Sequence, residues 1–143
     1  MDSINNQFTQ FKVHTQYSIC EGALKIENLS NFCKENKIRS IGLSDTSNLC
    51  GALEFSENIS KSGTQPIIGT QILFKYKDIS GLLPLIAKNE NGYKYIVKLS
   101  SNSYLNSKNG STPFCNLNEL LENQTNDIIV LSGSVTGLFG DMF

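Results

Sequence analysis

The apolar positions fall into short runs of two alternating kinds. Phe8 to Val13 alternates with period two, Phe11 and Val13 sharing a face, and predicts a strand. Lys25 to Asn36 carries Ile26, Leu29, Phe32 and Cys33 at helical spacing, one apolar stripe. Ser40 to Leu43 predicts a second strand, ending in Ser44-Asp45-Thr46-Ser47-Asn48, a run with turn and N-cap chemistry. Leu49 to Ser62 reads as a helix closed by Gly63. Gln65 to Phe74 predicts one strand with Pro66 at its mouth, where a missing N–H is tolerated. Leu82 to Ala87 has the look of a buried strand, and Asn89 can cap a helix from about Glu90 to Tyr104. A polar loop from Asn102 to Gly110, a short helix from Leu117 to Leu121 and a strand from Asp127 to Leu131 complete the series. Strand and helix in alternation predict an α/β fold with parallel strands and outer helices. Such folds carry their sites where strand ends meet helix starts. The segments to inspect are therefore His14 to Ser18, Asp45 to Asn48, Thr70-Gln71 and Ser132 to Ser134.

Composition narrows the chemistry. The chain has 143 residues, with Lys+Arg 12 against Asp+Glu 13. That balance gives no basic surface for a nucleic-acid backbone, so direct DNA contact is expected to be minor. No apolar run approaches the ~20 residues of a membrane span. Met1 to Asn6 has neither a basic nor an apolar leader region, so a cytoplasmic location is expected. Cys20, Cys33, Cys50 and Cys115 are widely spaced, and His14 is the sole histidine, which is poor material for a zinc framework. Buried free thiols are the ordinary reading.

His14, Glu21 and Asp45 could form a small acid/base or metal cluster, but hydrolytic metal sites want three or more N/O ligands per ion. The plainer readings are a hydrogen-bonded histidine at a strand end and a capping aspartate. Cys20, Cys50 and Ser134 share only one candidate base, so nucleophilic catalysis has little support. The glycines form no phosphate-binding loop. From the residues alone the chain is an α/β domain with a polar rim and an incomplete active site.

Taken together the segments carry a resemblance. Val13-His14-Thr15-Gln16-Tyr17-Ser18 with Glu21-Gly22-Ala23 resembles the opening motif of the PHP (polymerase and histidinol phosphatase) domain found at the amino terminus of bacterial replicative polymerase III alpha subunits. Leu43 to Phe55 resembles the second motif, and Pro66-Ile67-Ile68-Gly69-Thr70-Gln71 the third. Leu85 to Tyr93, Lys98 to Ser101 and Ile129 to Ser134 follow in the family's order, so the likeness runs from about Phe8 to Gly137.

The resemblance implies the front part of a distorted, TIM-like (β/α)7 barrel with its site at the carboxyl ends of the strands. Residues 1–143 would be the N-terminal portion of that domain, with the rest of the barrel and the polymerase domains expected beyond Phe143. The Mg²⁺ ions of nucleotide transfer would belong to those later domains, so this segment is expected to hold no polymerase site. The family's metal site is compared position by position. Its first motif carries His-x-His, where this chain has Lys12 and His14; Glu21 keeps an acid. Asp45-Thr46-Ser47 stands for Asp-His-Gly, so Thr46 replaces a ligand histidine. Gln71 replaces an acid, Leu82 a histidine and Ser134 a cysteine. Lys12 is expected to pair with Glu21 or another retained acid, supplying charge that an ion would supply.

The resemblance thus implies a metal-free structural module with no catalytic residue or cofactor of its own. Its expected partners are a separate proofreading exonuclease subunit and other subunits of the polymerase holoenzyme, with DNA reached through the rest of the parent chain and no membrane. The alternative is an active metal-dependent PHP phosphoesterase or 3′–5′ exonuclease. The partner-binding residues are not legible, because exposed and core apolar positions look alike in sequence.

Overall fold

A computed structural model describes residues 8–108, 110–122, 126–133 and 137–140. The elements run β1 (Gln10–Val13), α1 (Ile26–Glu35), β2 (Ser40–Leu43), β3 (Asp45–Thr46), α2 (Ala52–Lys61), β4 (Gln65–Ile67), β5 (Gly69–Tyr76), β6 (Ile79–Ala87), α3 (Glu90–Leu105), β7 (Cys115–Asn116), α4 (Leu117–Glu122) and β8 (Ile128–Val130). The chain is mixed α/β, with parallel strands and helices packed outside them, as the alternation of patterns predicts.

One sheet has the order β1-β2-β4, all parallel; the other runs β3-β5-β6-β8, with β7 beside β5. The two are continuous through the chain. Beyond Ser44, β2 passes into β3, and beyond Ile68, β4 passes into β5, so the same two stretches pair in both sheets. The expected single strand from Gln65 to Phe74 is therefore two strands, interrupted at Ile68, whose carbonyl instead accepts from Ala87 N–H at 2.9 Å.

The second departure is orientation. β5 and β6 form an antiparallel hairpin closed by the pair Tyr76 and Ile79, leaving Lys77 and Asp78 as the turn. Lys77 adopts φ 53°, the left-handed region that a non-glycine residue enters at a cost. β8 is antiparallel to β6 as well. The parallel pattern thus holds for the first half of the sheet and gives way in the second.

Cross-strand pairs share a face, so the register sorts the side chains of this sheet. Ile72 and Phe74 lie on one face with Leu83 and Leu85, and pack with Ile96 and Leu99 of α3, Cys115, Leu117, Leu120 and Leu138. Gln71 and Leu73 lie on the other, opposite Pro84 and Leu82. The first sheet has its own core: Ile41 and Leu43 against Ile26, Leu29 and Cys33 of α1 and Ala52, Phe55 and Ile59 of α2. Phe32, expected on the apolar stripe of α1, is instead 54% exposed.

Helix ends follow local chemistry. Asn89 caps α3, its side chain accepting from Gly92 N–H at 3.0 Å. The same helix continues to Leu105, through the start of the expected polar loop. α2 begins at Ala52 rather than Leu49, because Asn48 Oδ1 takes the Cys50 N–H in a turn just before it. Among the described residues no helix is long and apolar enough to cross a membrane.

Candidate functional site

The carboxyl end of β1, the short β3 and the first residues of β5 bring three of the sequence-selected segments together, His14 to Ser18, Asp45 to Asn48 and Thr70-Gln71. Asp45 is fully buried in β3, and its role is not that of a helix cap. Its Oδ1 accepts from Thr15 N–H at 2.6 Å and from the Ser18 hydroxyl at 2.7 Å, while Oδ2 accepts from the Thr15 hydroxyl at 2.7 Å. The capping expectation is corrected for a simple reason. The donors that Asp45 meets come from the loop after β1, about thirty residues earlier in the chain, and not from the helix that follows it.

A second layer is built on Thr46. Its N–H donates to Ser18 Oγ at 3.1 Å, its hydroxyl donates to Glu21 Oε2, and it accepts from Gln71 Nε2 at 2.7 Å. The register of β3 and β5 places Thr46 beside Gln71 and Asp45 beside Thr70. Thr70 is buried, and its hydroxyl reaches the carbonyls of Asp45 at 2.6 Å and Asn48 at 3.0 Å. Asn48 Nδ2 in turn donates to the carbonyls of Tyr17 at 3.0 Å and Thr46 at 2.9 Å.

His14 lies at the edge of this network. Its Nδ1 is 3.9 Å from Glu21 Oε2, too far for a hydrogen bond, and has no other partner. Gln71 Oε1 is likewise buried and without a hydrogen-bond partner. Lys12 is exposed on β1, and no ion pair joins it to a carboxylate among the described residues. Its expected pairing with Glu21 is not formed; Thr46 holds that carboxylate instead. Leu82 lies opposite Leu73 on β6 and brings an apolar side chain to the Gln71 face. Ser134 lies outside the described residues.

The rim contains contacts that the sequence alone did not reveal. Tyr17 donates its hydroxyl to Glu54 Oε2 at 2.6 Å, across from α2. That hydrogen bond, with the nearby carboxylate charge, pushes the phenol above its ordinary range. Gly51 makes the contact possible: a Cβ there would lie 2.6 Å from Tyr17 Cδ2 and 3.3 Å from Asp45 Oδ2. Thr15 and Ser18 stood in a selected segment, but nothing in sequence tied them to Asp45. Glu54 had no signal, being one acid on an exposed-looking helix face.

Among the described residues, no group of three His, Cys, Asp or Glu side chains is placed to hold a metal ion. Chemically, the cluster is a set of hydroxyl and amide groups arranged around two carboxylates.

Comparison with known proteins places the chain. It is 36% identical over 135 residues to the DNA polymerase III subunit alpha of Rickettsia felis, covering 94% of this chain and 11% of that protein. It is 34% identical over 152 residues to the subunit of the same name from Caulobacter vibrioides, covering 99% of this chain and 13% of the relative. The Borreliella burgdorferi protein of that name is 38% identical over 114 residues, 72% of this chain and 10% of the relative. The chain therefore spans about a tenth of the length of the curated relatives it matches.

Two solved structures share the fold. An amidohydrolase from Chromobacterium violaceum aligns with TM-score 0.55 at 12% identity, over 66% of this chain and 32% of that one. A protein of Bifidobacterium adolescentis described as a metal-dependent phosphoesterase aligns with TM-score 0.53 at 17% identity, over 70% of this chain and 35% of that one. Residues 10–143 match the family model described as PHP domain, and the chain belongs to the PHP domain family.

Proposed function

We propose that this chain is the PHP segment of a replicative DNA polymerase alpha subunit, serving as a metal-free scaffold that docks a separate proofreading exonuclease subunit. The relatives named above, similar over most of this chain, support the first part. The observation that carries the second is the state of Asp45. Its two oxygens are engaged by Thr15 and Ser18, and Glu21 is held by Thr46. This donor set does not fit a divalent-metal centre, which needs three or more free N/O ligands per ion. Hydroxyls and amides have taken places from which a metal would be held.

Any polymerase activity, with its Mg²⁺, lies in the parent chain outside residues 1–143, as does contact with DNA. The exonuclease partner is assigned on the family resemblance of members that lack the ligand set. A second reading keeps one support: His14 and Glu21 still face each other at 3.9 Å, as a remnant of an active phosphoesterase or 3′–5′ exonuclease would.

One experiment separates the two. The whole protein carrying this chain is purified after growth with Zn²⁺ and Mn²⁺, analysed for metal, and assayed on single-stranded 3′ ends with and without an added exonuclease subunit. No stoichiometric metal at this domain, no intrinsic 3′–5′ activity and co-elution with the added subunit are expected. Bound metal with nuclease activity lost in His14→Ala would establish the alternative.

A further inference from the structure

We infer that a hydrogen-bonded brace built by this chain's own side chains holds the strand ends together where a metal centre would otherwise hold them. The inference rests on the metal-free reading and deepens it by naming what does the mechanical work.

A multinuclear metal site ties several strand ends to common ions, so its loss should leave those ends joined only by the sheet. Here they are tied by other means. Asp45 anchors the loop after β1 through three hydrogen bonds to Thr15 and Ser18. Ser18 passes the connection on, its oxygen accepting from Thr46 N–H at 3.1 Å while its hydroxyl serves Asp45. Thr46 then joins Glu21 of that loop to Gln71 of β5. The loop after β1, β3 and the start of β5 are thus tied by side-chain hydrogen bonds in addition to the pairing of the strands.

Two features mark the brace as closed to an added ion. Both oxygens of Asp45 and Oε2 of Glu21 are already engaged by donors, and a metal bound there would have to displace them. The two unpartnered polar atoms, His14 Nδ1 and Gln71 Oε1, are buried beyond the reach of solvent. Two orphaned polar atoms are a cost that a freshly optimised core would avoid. They mark which atoms have no task in the brace, while Asp45, Thr15, Ser18 and Thr46 mark which do.

The test is hydrogen–deuterium exchange by mass spectrometry on the whole protein, following the amides of Thr15 and Thr46, both donors within the brace. Chelator or added Zn²⁺ or Mn²⁺ is expected to leave their exchange unchanged. Asp45→Ala is expected to speed it by about tenfold or more, with α3 peptides unaffected. Asp45→Asn, which keeps one acceptor, should fall between the two. If Asp45→Ala loses the whole fold, Ser18→Ala decides: local acceleration supports the brace, and unchanged exchange overturns it. Unchanged exchange in a folded Asp45→Ala protein overturns the brace while leaving the metal-free reading intact. Protection that rises with saturable metal overturns both.

Discussion

Asp45 and Thr15 lie thirty positions apart and are joined twice, by the Thr15 N–H to Oδ1 at 2.6 Å and by its hydroxyl to Oδ2 at 2.7 Å. Both residues are fully buried. A double contact of this kind fixes the direction of the loop after β1 as well as its distance from β3. Removing the carboxylate leaves the Thr15 N–H and two hydroxyls buried without acceptors, and hydrogen bonds to charged groups are among the stronger ones. Asp45→Ala is therefore expected to destabilise the fold by roughly 2–4 kcal/mol, and Asp45→Asn by less, since one carbonyl oxygen remains. Chemical denaturation midpoints at fixed pH measure both. A change below about 0.5 kcal/mol in the alanine variant would contradict the role given to Asp45.

How much of this was legible in the sequence depended on the range of the interactions involved. The strand Ser40–Leu43 and the Asn89 cap of α3 are set by neighbours within a few residues, and both occur where the pattern puts them. The family and the segments that meet at the site were also legible, because loops at strand ends are local features. The hairpin was not. Lys77-Asp78 lacks the Asn-Gly or Gly signal that usually announces a tight turn, so β6 reads equally well as the next parallel strand. The break at Ile68 was hidden for a related reason: strand-compatible residues lie on both sides of it, and only the change of pairing partner makes it two strands. The bonding of Asp45 was hidden altogether, because Ser-Asp-Thr-Ser-Asn is good capping chemistry and the competing donors are distant in sequence.

The four cysteines should divide into two classes. Burial, expected of all four, holds only for Cys33 and Cys115, because Cys20 and Cys50 fall in exposed loops; burial pushes both buried thiols above their ordinary range. Thiolate is the reactive form, so the buried pair is doubly protected. Under native conditions a chromogenic disulfide reagent is expected to titrate two thiols quickly and the others only on unfolding. Peptide mapping should assign the fast pair to Cys20 and Cys50. Fast labelling of Cys115 would show that the core between α3 and α4 opens readily.

Cys115 also gives the fold an alkaline limit. Its thiol is pushed from about 9 up to about 12, chiefly by burial, with the Glu119 charge adding to the effect, and its Sγ lies 3.2 Å from the Leu99 carbonyl. Because the folded protein holds this proton more tightly, the native state keeps it above pH 9 while the unfolded chain loses it, and stability falls as pH rises. The contribution is whole below about pH 9 and is lost progressively toward about pH 12. Between pH 8.5 and 10 the loss should be about 1 kcal/mol. Cys115→Ala is expected to be less stable at neutral pH but to show a flatter dependence across this range. Equal slopes in the two proteins would remove Cys115 as the cause.

Lys77 offers the opposite kind of change, a gain. Its φ of 53° places a side chain in the left-handed region at the β5–β6 turn. A non-glycine residue there costs about 1–2 kcal/mol of local conformational energy. Glycine would relieve that cost but would lose more backbone entropy on folding, by roughly 0.5–1 kcal/mol. The balance favours the substitution slightly, since Lys77 is exposed and its one ring contact, 5.3 Å from the Tyr76 centroid, is weak. Lys77→Gly is expected to raise stability by about 0.5 kcal/mol. Lys77→Val, whose branched side chain tolerates this backbone poorly, should lower it. Thermal midpoints measured side by side check the order, and a glycine variant less stable than the parent would mean that the turn is not strained at this residue.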